Sequence, residues 1–319
     1  MKLNPVYKRE MTVASRSIRI ALIFMAFNGI LAIVALFNMF SVVEQVKVTA
    51  EIQYSRFLEL YVFVSTVEFI MLMFIMPALT AGSISGERER QTLDLMLTTT
   101  MKPREIIFGK LSSAITTLLL LVLSGIPVQS LVFVYGGITV PDMMFLLACY
   151  GTVALLAGGV GIFFSSLLKK STVATVCTYA TIIIVVAGTY AINIFSFKMS
   201  QNEMNTYMSS LNTVARQATS GGFIYLLLLN PAVTFYTMIN EQAGSGSIRK
   251  ILETWFGAHG DSFVMNHWML ISLLCQLVLA VLLIAGAVYV ITSVRQRRGA
   301  VHLKKEKVQK KRVHHWKQT

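Results

Sequence analysis

The chain has 319 residues, 55% of them hydrophobic and only 13% charged, with a mean hydropathy of +0.65. A soluble domain carries about 25% charged residues, so this chain lacks the polar surface to cover itself in water, and a soluble globular protein is excluded. The net charge of +13 would suit nucleic acid, but the basic residues gather at the ends of apolar runs rather than over one face, so no nucleic-acid partner is expected.

The first 19 residues, MKLNPVYKREMTVASRSIR, are polar for too long to be a cleavable signal, and the run behind them has spanning length. They are read as an amphipathic lead-in helix on the cytoplasmic face. A spanning helix needs roughly 20 mostly apolar residues. Six segments qualify, at about 20–40, 58–82, 111–134, 143–168, 172–197 and 268–294. Together they make residues 20–294 one all-α membrane domain, with an external region at 198–267. Inside that region FIYLLLLNPAVTFYTMIN, Phe223–Asn240, is apolar but short and broken by Pro231, which predicts a re-entrant or interfacial segment. Residues 295–319 form a basic tail with ten Lys and Arg, expected on the inner face against anionic lipid at about 1 kcal/mol per basic residue.

Lys and Arg excess marks the cytoplasmic side. With six spans and both termini inside, 22 of the 28 basic residues fall on the inner side. A seventh crossing at Phe223–Asn240 would carry the basic tail outside, against this bias. The expected location is therefore a plasma membrane, multi-pass, in a bacterial cell.

Between the second and third spans, residues 83–110 put nine charges into an otherwise apolar chain: SGERERQTLDLMLTTTMKPREIIFGK from Ser85. Gly82 and Gly86 permit a sharp turn out of the membrane. Leu93, Met96 and Leu97 recur at helical spacing and form a narrow apolar face. Pro103 suits the first turn of the following helix. The pattern predicts a compact cytoplasmic helical hairpin tied to two spans, with apolar contacts for docking and charges for register. A solvated loop would need no such face.

This stretch resembles the signature segment of ABC-2-type transporter permeases, most specifically over 83–111, and NPVYKREM near the start resembles that family's cytoplasmic lead-in helix. One departure is TTTMKP in place of a Pro-containing break a few residues earlier. The resemblance implies that the chain is the permease subunit of an ABC exporter. It further implies that the hairpin fits a groove on a separate ATP-binding subunit. Mapped here, Glu87, Arg88, Gln91, Thr92, Leu93 and Leu97 would dock, flanked by Arg9 and Glu10. It implies as partners a pair of ABC ATPase subunits that hold ATP and Mg²⁺, a second permease subunit in a homo- or heterodimer, and membrane lipids.

The chain itself is not expected to be an enzyme. A phosphate-binding loop needs G-x-x-x-x-G-K-[ST]; at Gly109–Lys110 the first Gly is replaced by Arg104 and the Ser/Thr by Leu111. The five histidines and three cysteines show no ligand spacing, so no cofactor or metal is expected in this chain. Glu68 is the acidic residue well inside a span, in VSTVEFIMLM. A carboxylate at that depth is costly unless protonated, paired or wetted. It lines the transport path, senses protons or pairs with a neighbouring helix. Asn28, Asn38, Asn193, Gln129 and Ser124 read as bonders between helices, and Ala157 and Gly161 allow close helix packing. Two other readings remain open: a secondary, ion-coupled transporter, and a non-transporting anchor or sensor of an antibiotic-response complex. The hairpin favours the exporter.

Overall fold

The computed structural model describes residues 4–49, 55–98, 101–135, 138–210, 218–244, 247–257 and 262–316. Among them the regular elements are helical, apart from one antiparallel bridge between Thr219 and Gly257. In chain order they are α1 (Pro5–Ser15), α2 (Ile18–Thr49), α3 (Ser55–Thr80), α4 (Ser85–Glu89), α5 (Thr92–Thr98), α6 (Pro103–Tyr135), α7 (Val140–Leu167) and α8 (Ser171–Ile183). A π-helical turn, Ile184–Gly188, leads into α9 (Thr189–Ser210), and a 3₁₀ helix, Gly221–Leu229, precedes α10 (Pro231–Gln242). Then come α11 (Ile248–Phe256), α12 (Phe263–Asn266) and α13 (Trp268–Trp316).

Six of these stretches are long and apolar enough to cross a membrane: Ile20–Lys47, Phe57–Glu89, Pro103–Ser130, Val140–Leu167, Ser171–Asn205 and Trp268–Ser293. The protein is an all-α, six-span membrane protein. Helices suit this solvent because each satisfies its own backbone hydrogen bonds where no water can. The helices outrun the apolar segments that betray them. The first continues to Thr49, the third begins at Pro103, and the last runs on as helix to Trp316.

The most buried span is α7, which packs against α3, α6, α8 and α13. Its small residues explain why. A Cβ on Gly159 would lie 3.3 Å from the carbonyl oxygen of Ala280 in α13, and one on Gly161 would occupy the place of the Thr80 hydroxyl in α3. Neighbouring backbones therefore approach α7 more closely than larger residues would permit. An apolar cavity of about 260 Å³ opens beside it, lined among others by Met73, Phe163, Val185, Val186, Pro231 and Leu279.

The second architectural feature is a break. The 3₁₀ helix and α10 meet at 91°, and at 9 and 12 residues neither is long enough to span alone. A bend inside a bundle frees backbone groups that lipid cannot satisfy. Side chains do so instead. Asn230 accepts from Ala232 N at 3.0 Å and Val233 N at 3.3 Å, and its amide donates to the Val186 carbonyl of the π turn and to Thr189 Oγ1, both at 2.8 Å. Ser272 and Gln276 of α13 donate to Leu228 O at 2.8 and 3.2 Å. Asn193 donates to Phe223 O at 2.9 Å. A small apolar cluster that includes Ile224, Leu227, Leu252, Phe256 and Trp268 seals this end.

Asn230 thus joins two irregular backbones, and its loss should be felt in both. Asn230→Ala removes a cap worth about 1 kcal/mol and leaves a buried carbonyl unmet, a further cost of roughly 1–3 kcal/mol. The thermal midpoint of the purified protein in detergent should fall clearly, and Asn230→Ser, which keeps a capping oxygen and loses the amide, should fall between. Equal midpoints for all three would refute this role.

Candidate functional site

At the end of the bundle opposite the break, the chain leaves α3, makes α4 and α5, and returns as α6. Charge accounts for how this elbow is held. Lys110 stands four residues before Ala114 and three after Ile107, on the same buried stripe of α6, and its side chain is only 6% exposed. An ammonium there needs carboxylates. It finds Glu10 of α1 at 2.9 Å and Glu87 of α4 at 3.3 Å, while Arg9 reaches Glu87 at 4.0 Å. The four charges cancel. Thr92 of α5 closes the group by bonding the Glu87 carboxylate, and it lies 3.1 Å from the Glu87 carbonyl oxygen.

Close packing fixes α1 on the other side. A Cβ on Gly109 would sit 2.8 Å from Val6 Cβ, so the glycine is the seat for Val6, which is buried. Asn4 caps α1 by accepting from Val6 N at 3.0 Å, and its amide donates to Glu105 O at 2.6 Å. Tyr7 and Thr116 hydroxyls meet at 3.3 Å.

The elbow is also fastened to the turn between α7 and α8. Ser165 Oγ accepts from Ile84 N at 2.8 Å and Ser85 N at 3.0 Å, which satisfies the start of α4. Arg88 donates to the Ser166 and Leu168 carbonyls at 2.8 and 3.1 Å, at the carbonyl end of α7, where a cation also suits the helix dipole. Glu89 accepts from Ser171 N at 2.9 Å and Ser171 Oγ at 2.6 Å, so it caps α8.

These contacts decide which face of the elbow remains. Leu93 and Leu97 are buried in the bundle's core cluster, which also holds Ile106 and Ile107. Glu87, Arg88 and Thr92 engage partners within this chain. Gln91 is exposed, with a left-handed φ of 60° that lets α4 turn into α5. Beside it Arg90 is exposed, and Leu95 stands out at 69% exposure. The apolar face expected from Leu93, Met96 and Leu97 is thus turned largely inward, into the bundle's core cluster. Sequence reasoning passed over Lys110, Ser165, Glu89, Ser171 and Leu95. Lys110 had a signal: it interrupts the apolar stripe of Ile107, Leu111, Ala114 and Leu118.

Glu68 lies near the middle of α3 and is 1% exposed. Its Oε2 accepts from Gln129 Nε2 at 2.5 Å and lies 3.2 Å from the Tyr150 hydroxyl, which also reaches Ser65 O at 2.8 Å. Its Oε1 sits in the notch left by Gly125 without a hydrogen-bond partner. Phe235 of α10 stacks on Phe69 at 4.3 Å and lies 6.3 Å from the Tyr150 ring. The carboxyl therefore joins α3, α6 and α7 directly beneath the broken segment. Among the described residues no group of His, Cys, Asp and Glu could hold a metal ion.

Compared with known families, residues 5–294 match the profile described as ABC-2 family transporter protein. No curated protein sequence matches the chain.

The Lys110 group should behave as a unit. Lys110→Met strips the partly buried Glu10 and Glu87 of their shared cation and leaves Arg9 as the remaining counter-charge, a loss of roughly 1.5–3 kcal/mol. Hydrogen exchange across 85–98 should rise strongly in that variant. Adding Glu10→Gln and Glu87→Gln should return much of the protection, since a neutral group has no charge to strand. Additive losses in the triple variant would contradict the coupling.

Proposed function

The chain belongs to the ABC-2 family of transporter permeases, and from that premise we propose that it is the membrane subunit of an exporter driven by ATP and Mg²⁺ on a separate pair of ATPase subunits. The observation that carries this reading is Leu95. It is an apolar side chain held out at 69% exposure on an elbow whose other leucines, Leu93 and Leu97, are buried. A lone exposed leucine is ordinary on any surface, but this one shares the outer face of a braced elbow with Arg90 and Gln91, which offers a partner an apolar contact and polar register together. In this proposal Leu95, with Arg90 and Gln91, meets the ATPase. Glu87, Arg88, Thr92, Leu93 and Leu97 stand behind that contact, and Arg9 and Glu10 extend the brace to α1.

The mechanical consequence follows from the bracing. ATP closes the two nucleotide-binding subunits on each other. An elbow fastened to α1, α6, α7 and α8 cannot absorb that motion by bending, so it passes the motion to the spans, which exchange inward-open and outward-open packings. The Lys and Arg excess at the elbow end supports a cytoplasmic position for it. A second permease copy suits α2 and the α8–α9 rod, the least buried spans, which carry exposed Phe37, Phe40, Ile184 and Phe195. Glu68 links three spans near the break, which supports a role for it in the repacking.

Two outcomes test the proposal. Leu95→Glu should leave the thermal midpoint unchanged, because the side chain is exposed. It should weaken co-purification with the cognate ATPase by about tenfold or more, as a buried anchor does. Unaltered ATPase retention would remove Leu95 from the contact. Glu68→Gln should lower transport in reconstituted vesicles while ATPase binding stays intact; wild-type transport in that variant would take Glu68 out of the path.

A further inference from the structure

The hydrogens around Glu68 do not suffice for a carboxylate. An ionised carboxylate only accepts, and it has two oxygens to satisfy. Gln129 Nε2 supplies one hydrogen, to Oε2 at 2.5 Å. The Tyr150 hydroxyl lies 3.2 Å from the same oxygen but 2.8 Å from Ser65 O. A phenol has a single hydrogen to give. Given to the nearer Ser65 O, it leaves the phenol oxygen facing Glu68 as an acceptor.

The second oxygen fares worse. Oε1 is buried without a hydrogen-bond partner. It fits so closely against α6 that a Cβ on Gly125 would collide with it, and Leu31 of α2 closes on the same spot. Among the described residues no Lys, Arg or His pairs with the carboxyl. The titratable groups on this side of the bundle are phenols, Tyr150 from α7 and Tyr61 two turns back along α3, while α10 adds Phe235 against Tyr150. A charge so placed, in the apolar depth of a span, would be stranded. A carboxylic acid would not. Its O–H provides the hydrogen missing between Oε2 and the Tyr150 oxygen, and Tyr150 passes its own to Ser65 O.

A polar stripe leads from this carboxyl towards the end of the bundle away from the elbow. Tyr61, Ser65 and Glu68 are spaced by four and three residues, so they share one face of α3, and all three are buried. Tyr61 donates to Gln242 Oε1 at 2.8 Å. Gln242, half-buried at the end of α10, donates from Nε2 to Asp142 O at 3.0 Å, in the first turn of α7.

We propose that Glu68 is a proton-binding site, held here as a neutral acid that donates to Tyr150 and exchanging its proton along Tyr61 and Gln242 with the end of the bundle away from the elbow. The proposal needs the membrane setting of the chain and not its coupling to an ATPase.

Infrared spectroscopy of the full chain tests it, in an ester-free detergent at neutral pH, with and without isotope-labelled glutamate. The wild type should show a carboxylic-acid carbonyl band that moves with the label, since glutamates in water are ionised there and give none. Glu68→Gln should abolish the band. Tyr150→Phe should move it to higher wavenumber, as the acid loses its acceptor. In heavy water the band should exchange several-fold more slowly in Tyr61→Phe than in the wild type. Absence of a label-sensitive acid band from the wild type would overturn the proposal without recourse to any variant. A band that survives in Glu68→Gln would overturn it too, and exchange as fast in Tyr61→Phe as in the wild type would overturn the route.

Discussion

A lysine ammonium buried at the foot of the third span sets the terms for the elbow end of the bundle. At 6% exposure Lys110 cannot be left to water, and the two carboxylates that meet it come from opposite sides, one from the lead-in helix and one from the elbow. Removing a charge from water is costly unless its partners are close and fully bonded. The need for Glu10 and Glu87 together therefore holds α1, α4 and α6 in one arrangement. Ser165, Arg88 and Glu89 then fasten the same elbow to the α7–α8 turn, each by meeting a helix end that would otherwise stay unsatisfied. A short segment with little core of its own becomes rigid because its neighbours need its polar groups.

The other end of the bundle obeys the same rule by a different route. There the chain is broken rather than charged, and the debt is backbone. Asn230, Ser272, Gln276 and Asn193 each supply a hydrogen bond that a continuous helix would have made for itself. The two irregular backbones, the π turn and the 91° bend, share Asn230. Irregular structure of this kind survives in a membrane only where protein surrounds it. Phe235 and Glu68 lie at the meeting point of the broken segment and the straight spans, so a shift in either would be felt by the other.

The six spans were legible because hydropathy reports contact with hydrocarbon over a fixed thickness. Helix ends were less so, since α2 and α6 continue past the lipid as polar helix that hydropathy does not register. Pro231 announced the break, but its hydrogen-bond partners lie 30 to 48 residues away and carry no local mark. In the elbow, one short helix and the return at Pro103 could be read from ERERQTLDLML and TTTMKP, but the split into α4 and α5 at the left-handed Gln91 could not. Which leucines turn inward could not. Leu93, Leu95 and Leu97 are chemically alike, and only the place of the bundle's core tells a buried one from an exposed one. Lys110 was readable in principle, as a cation standing in an apolar stripe.

The central claim is that the elbow moves with the bundle and not against it. Spin labels at Thr98→Cys on α5 and Val173→Cys on α8, with the native cysteines replaced, would report the distance between elbow and fifth span in the assembled transporter by pulsed electron resonance. The account predicts one narrow distance that stays the same with and without ATP. A broad distribution, or a shift on ATP binding, would mean that the elbow yields within its own chain and that the account is wrong.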